Sequence, residues 1–150
     1  MNFYCLDSSV LVKLLVTEED SHRAHALLQT ALVGDLPVIA PTFAWTEVGS
    51  ILRKKVRQGL ISNEEAQAAW EDFVSLPLRF ENSTEIMERS WDIAGEQGLP
   101  TLYDAAFLAT VEMSPRGWGE FWTADRVLLR KLEDKKSYVR DLSTFDVEPE

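Results

Sequence analysis

The sequence predicts an α/β domain in which a parallel sheet of about five strands is covered by helices on both faces. Three observations carry this. Short apolar runs of strand length alternate with longer segments of helical periodicity. The run Phe3-Tyr4-Cys5-Leu6 is apolar throughout, as in a strand buried on both sides. The 150 residues match the size of one domain, so 1–150 is read as a single domain.

The elements follow in order. Residues 2–7 form a first buried strand, and Asp7-Ser8-Ser9 is a helix-start signal for 10–16. A second helix covers His22 to Leu32, after the polar stretch Thr17–Ser21. Pro37-Val38-Ile39-Ala40-Pro41 is a short strand bounded by prolines. Thr42 is expected to cap a long helix over 43–58, with Gly59 at its C′ position. Ser62 and Glu65 have capping-box spacing and open a helix to Ser75. Leu78-Arg79-Phe80-Glu81 alternates as a strand, and 84–97 is a helix closed by Gly98. Pro100-Thr101 opens a helix to Met113, and Pro115-Arg116-Gly117 is a loop. Glu120–Thr123 is a strand, Asp125 starts a helix to Leu132, and Tyr138–Leu142 is the last strand. The acidic tail 146–150 is expected to fray.

Composition narrows the class. The hydrophobic fraction of 45% supports a core, and no apolar run reaches the roughly 18 residues that span a bilayer. The start lacks a basic n-region, so no signal peptide is expected. The one cysteine, Cys5, excludes an internal disulfide and fits a reducing cytoplasm as a small core residue. The net charge of −10 argues against a simple basic nucleic-acid surface. It leaves an acid-rich site that recruits cations, a non-anionic substrate, or a basic partner.

Ligand chemistry on parallel sheets gathers just past the carboxyl ends of strands. Asp7 and Asp125 both lie there, although each alone also suits an N-cap. Glu47 is four residues after Phe43 and four before Ile51, on the apolar side of its helix. A carboxylate there must be protonated, paired or bound to a cation. Asp104 shares a face with Phe107, Leu108 and Val111, while Thr101–Asp104 also has capping-box spacing. If the four acids converge, their repulsion calls for a cation. An all-oxygen donor set suits Mg²⁺ or Mn²⁺. His22 and His25 lack a third ligand and are expected to face solvent. Ser9 stands where haloacid-dehalogenase phosphatases carry a second Asp, and no P-loop is present.

Four segments carry a family resemblance: Leu6-Asp7-Ser8-Ser9-Val10-Leu11-Val12-Lys13, Thr46-Glu47-Val48, Leu102-Tyr103-Asp104-Ala105-Ala106-Phe107-Leu108-Ala109 and Thr123-Ala124-Asp125. In order and spacing the chain resembles the PIN-domain ribonucleases, specifically the VapC-type toxins of toxin–antitoxin pairs. The resemblance implies a PIN-like fold and hydrolysis of RNA phosphodiesters. It implies a catalytic set of Asp7, Glu47, Asp104 and Asp125, with Asp7, Asp104 and Asp125 as metal ligands. Glu47 is either a further ligand or the group that orients water, and Thr123 helps position the site. A cytoplasmic location, an antitoxin partner and a homodimer are implied as well. Lys13 and Arg126 are expected to contact RNA, as are Arg130 and Lys131 and the cluster Arg53, Lys54, Lys55 and Arg57. Two alternatives stay open: a PIN-like RNA-processing or structure-specific nuclease without an antitoxin, and a non-catalytic PIN-fold binding module. Trp45 and Trp70 serve an interface or packing.

Overall fold

The computed structural model describes residues 1–132 and 136–147. Five strands, β1 (Tyr4–Leu6), β2 (Val38–Pro41), β3 (Leu78–Glu81), β4 (Glu120–Thr123) and β5 (Val139–Asp141), form one sheet in the order β3-β2-β1-β4-β5. Every pairing is parallel. The helices are α1 (Ser8–Leu15), α2 (Ser21–Val33), α3 (Ala44–Arg57), α4 (Asn63–Ser75), α5 (Thr84–Gln97), α6 (Leu102–Glu112) and α7 (Arg126–Lys131). The expected fold class is therefore observed.

Alternation along the strands sorts the core into two layers. Phe3, Cys5, Ile39 and Phe121 point to the side covered by α5, α6 and α7, where Ile93, Phe107, Leu108 and Leu128 meet them. Tyr4, Leu6, Val38 and Trp122 point to the other side, against Leu11, Leu27, Val48 and Phe73 of α1 to α4. Both faces of β1 are thus buried, which explains its unbroken apolar run. Cys5 is fully buried, as its setting predicts. Gly59 (φ +72°) and Gly98 (φ +63°) end α3 and α5 in the left-handed region, where a Cβ is disfavoured.

Several local expectations are corrected. Thr42 does not cap α3: Phe43 stands at the N-cap without a side-chain bond, and the Thr42 hydroxyl donates to the Glu81 carbonyl instead. The proline at 41 and the pairing of β2 with β3 carry the chain one residue further before it turns. Thr101 is the N-cap of α6 but makes no capping bond, so no capping box forms there. The last strand stops at Asp141, because its carboxylate accepts from the Ser143 amide and starts a 3₁₀ turn over Leu142–Thr144. The Ser62–Glu65 capping box is present in both directions. Of the acidic tail, only residues 146 and 147 lie within the described residues.

Candidate active site

The sheet order fixes where a site can form. From β1 the chain steps outward through β2 to β3, then returns to place β4 on the other side of β1. Strand order therefore reverses between β1 and β4, and helices leave both strands at the same end. A crevice opens at such a switch point. Asp7 follows β1 and Asp125 follows β4, so both stand at that crevice.

Asp7 is 5% exposed. Its Oδ1 caps α1 by accepting from the Val10 amide at 3.2 Å and also accepts from the Ser9 hydroxyl. Its Oδ2 accepts from the Thr123 hydroxyl at 2.5 Å. Both hydroxyls are themselves held from β4. The Ala124 amide donates to Ser9 Oγ and the Asp125 amide to Thr123 Oγ, each at 3.0 Å. Two strand ends are thereby laced together through one carboxylate. Burial nevertheless pushes the Asp7 acid up to about 7, against the lowering pull of Ser9, Thr123 and Val10, and the charge of Asp104 adds to the rise. Beside it the buried Ser8 Oγ has no hydrogen-bond partner among the described residues.

Asp104 enters from the first turn of α6, a helix that packs on β1, β2 and β4. Burial raises its acid above the usual carboxylate range, the charges of Asp125 and Glu47 raise it further, and Lys131 opposes them. The four acids named from the sequence are thus linked through Asp104, whose charge acts on Asp7 and which feels the charges of Asp125 and Glu47. Asp125 also caps α7, its Oδ1 accepting from Val127 and Leu128. Glu47 is half-buried on α3, at the edge of its apolar face. Among the described residues, no three His, Cys, Asp or Glu side chains stand close enough together to cage an ion by themselves.

The geometry adds one residue the sequence did not assign and gives another a new role. Ser9 is the second clamp on Asp7, and only its place two residues after the acid hinted at this. Lys131, expected among the RNA-contacting cations that follow Asp125, acts through its charge on Asp104. Lys13 and Arg126, expected at RNA, are engaged in ion pairs in this structure: Lys13 with Glu18 at 3.5 Å, Arg126 with both oxygens of Asp141. His22 and His25 are exposed, as expected.

A buried, hydroxyl-clamped acid thus stands at a sheet switch point, within the field of Asp104. The PIN domain family matches residues 4–136. The chain belongs to the PIN-domain family. PIN domains are generally nucleases and typically use divalent metals, which supports a hydrolase acting on nucleic acid. Among solved structures, PAE2754 from Pyrobaculum aerophilum is similar over 95% of this chain and 92% of its own, with 25% identity and a TM-score of 0.66. VapC20 of Mycobacterium tuberculosis, described as a Sarcin-Ricin loop cleaving toxin, is similar over 84% of this chain and 94% of its own, with 16% identity and a TM-score of 0.55. At that identity the second likeness concerns the PIN fold alone. No curated protein sequence matches the chain. No helix among the described residues is long and apolar enough to cross a membrane.

Proposed function

We propose that this PIN-domain chain is a divalent-metal-dependent endoribonuclease, the toxin of a toxin–antitoxin pair. The observation that carries the nuclease reading is the Asp7 carboxylate, buried and clamped by Ser9 and Thr123 within the field of Asp104. An acid whose charged form is disfavoured by burial gains most from a cation, because the cation offsets the cost of its charge. The donor set is all oxygen, which suits Mg²⁺ or Mn²⁺. The lack of a three-carboxylate cage among the described residues does not oppose this. Mg²⁺ keeps several waters and is commonly held by one or two carboxylates and the substrate phosphate. Asp7, Asp104 and Asp125 are the ligands we assign.

When bound, such an ion polarises the phosphate and lowers the pKa of water at the site. The chain's own residues do the rest. Thr123 from the end of β4 and Ser9 from the first turn of α1 fix the orientation of the Asp7 carboxylate. Asp125 is fixed by its capping bonds at the head of α7. Glu47, half-buried and with no hydrogen-bond partner among the described residues, either completes the ligand set or orients water for attack. Lys131 offsets the acidic field near Asp104.

The toxin reading rests on the resemblance to VapC-type toxins and on the likeness to VapC20, which is itself a toxin. It brings with it an antitoxin protein, a homodimer and the cytoplasm. The test is cleavage of end-labelled single-stranded and structured RNA with Mn²⁺ or EDTA, beside Asp7→Asn and Asp104→Asn. Metal-dependent cleavage that disappears in both variants supports the nuclease. Undiminished cleavage in either refutes the assignment, and no cleavage by the parent protein turns the reading to a binding module. Growth arrest on expression, relieved by a neighbouring small gene product, tests the toxin.

A further inference from the structure

Helices α3 and α4 enclose a groove of about 800 Å³ outside the acidic crevice. It begins at Trp45 and Thr46, next to Glu47 in sequence, and runs along α3 to Arg57. Its aromatic side chains are Trp45, 49% exposed, and the half-buried Trp70. Trp70 lies against α3 because residue 49 is glycine: a Cβ there would meet the Trp70 ring at 3.0 Å. Trp70 is also backed by Phe73, with ring centroids 5.5 Å apart, so its ring is held in place within the groove.

The charge of the groove is opposite to that of the chain. Arg53, Lys54 and Arg57 line it and are exposed. Among the described residues no carboxylate pairs with any of them, whereas neighbouring Lys55 is paired with Glu18 at 3.1 Å. Three unpaired cations around two aromatic rings match the chemistry of an unpaired nucleic-acid strand, in which phosphates alternate with bases that offer flat π-faces. A duplex buries those faces in its own stack and has only phosphates to offer. An apolar protein helix would strip water from the three cations without compensating them.

We infer that the α3–α4 groove is a second substrate contact, which holds single-stranded RNA beside the acidic crevice by stacking bases on Trp45 and Trp70 and pairing phosphates with Arg53, Lys54 and Arg57. This rests on the ribonuclease reading, and it makes the substrate class unpaired RNA. It also separates two tasks that the sequence leaves merged. The acids at the switch point act on the scissile phosphate, and the groove selects the strand.

The test uses the full chain in EDTA, with a mixed-sequence single-stranded oligoribonucleotide and the same sequence annealed to its complement, followed by fluorescence anisotropy across a salt series. EDTA removes cleavage, so binding is read independently of the nuclease assignment. The single strand is expected to bind more tightly than the duplex. Trp45→Ala should weaken the single strand about tenfold and leave the salt slope unchanged. Arg53→Gln with Arg57→Gln should weaken it and flatten the slope by about 1.4, two phosphate contacts at about 0.7 each. Trp45→Phe keeps a stacking surface and should recover most of the loss, which separates stacking from misfolding. Equal affinity for strand and duplex, or unchanged affinity in Trp45→Ala and in the double arginine variant, overturns the inference. If cleavage persists in that case, the groove alone has failed. If Asp7→Asn leaves cleavage intact while the groove variants lose binding, the nuclease assignment alone has failed.

Discussion

Asp7 makes the apo protein less stable than its fold allows, and the size of that cost follows from the structure. Burial raises the Asp7 acid from 3.8 to about 7 despite three hydrogen bonds that favour its charged form. The folded state therefore prefers the protonated acid more than the unfolded chain does. The sign follows from linkage: below about pH 4 both states are protonated and there is no penalty. From about pH 4 to 7 the unfolded chain releases its proton while the folded one retains it, so stability falls as pH rises. Above about pH 7 the penalty is constant. Roughly three units at 1.36 kcal/mol each set a ceiling of about 4 kcal/mol. Asp7→Asn removes the charge and retains acceptance from Ser9 and Val10. Its amide meets the Thr123 oxygen, so the Thr123 hydroxyl proton loses its acceptor at a cost of about 1 kcal/mol. The net gain at pH 8 is thus at most about 3 kcal/mol, which for a chain of this size is a rise in Tm of up to about 10 °C.

Thermal melts of parent and Asp7→Asn in EDTA, from pH 4.5 to 8, read this directly. The two curves should lie closest at the acid end and separate as pH rises, with the variant the more stable above pH 7. Mn²⁺ should raise the parent's Tm at pH 8 and leave the variant's nearly unchanged, since a cation stabilises only the fold that binds it. A difference between the two that does not vary with pH would refute the reasoning, as would a variant less stable than the parent at pH 8.

Three further outcomes are expected. Thr123→Val removes one hydrogen bond to Asp7 and the acceptor for the Asp125 amide, so it should cost about 1–3 kcal/mol in denaturant melts and move the pH dependence of cleavage upward, while Thr123→Ser restores both. Asp125→Asn keeps an N-cap side chain and so should melt within about 0.5 kcal/mol of the parent while cleavage is lost, whereas Asp125→Ala should lose about 1 kcal/mol as well. Ser62→Ala breaks the capping box of α4 far from the acids, so it should lower stability by about 1 kcal/mol and leave cleavage unchanged.

The fold was legible because its signals are local. Continuous apolar strands, the Ser62–Glu65 box and the glycines at 59 and 98 each specify an element with no need of the rest of the chain. The misreadings have the same source. Thr42 and Thr101 are sound caps by sequence, but capping is a matter of side-chain geometry, which pairing of β2 with β3 and the entry into α6 decide. The four acids were named from strand ends and helix faces, yet their mutual field is a property of topology. The reversal between β1 and β4 is what sets Asp7 beside Thr123, 116 residues away. Ser9 escaped assignment for the same reason, since it acts through a hydrogen bond to another strand's end, and Lys131, read only as an RNA contact, reaches Asp104 through space.

The acidic net charge looked like the chief obstacle to a polyanionic substrate, and its distribution answers it. Net charge acts over long range and is screened beyond about 8 Å at physiological ionic strength. A bound strand therefore responds to local groups more than to the total of −10. Lys13 and Lys55 share Glu18, Arg89 and Lys136 surround Glu112, and Arg116, Arg126 and Arg140 each hold a carboxylate. Ion pairing thus withdraws cations across most of the described surface. Those without a described partner fall mainly in two places, on α3 along the groove and at Arg130 and Lys131 on α7. One lies beside Glu47, and the other includes Lys131, whose charge reaches Asp104. The acid elsewhere then has a use. On the ribonuclease reading it would disfavour RNA away from these two places and direct a strand to the cations beside Glu47 and near Asp104.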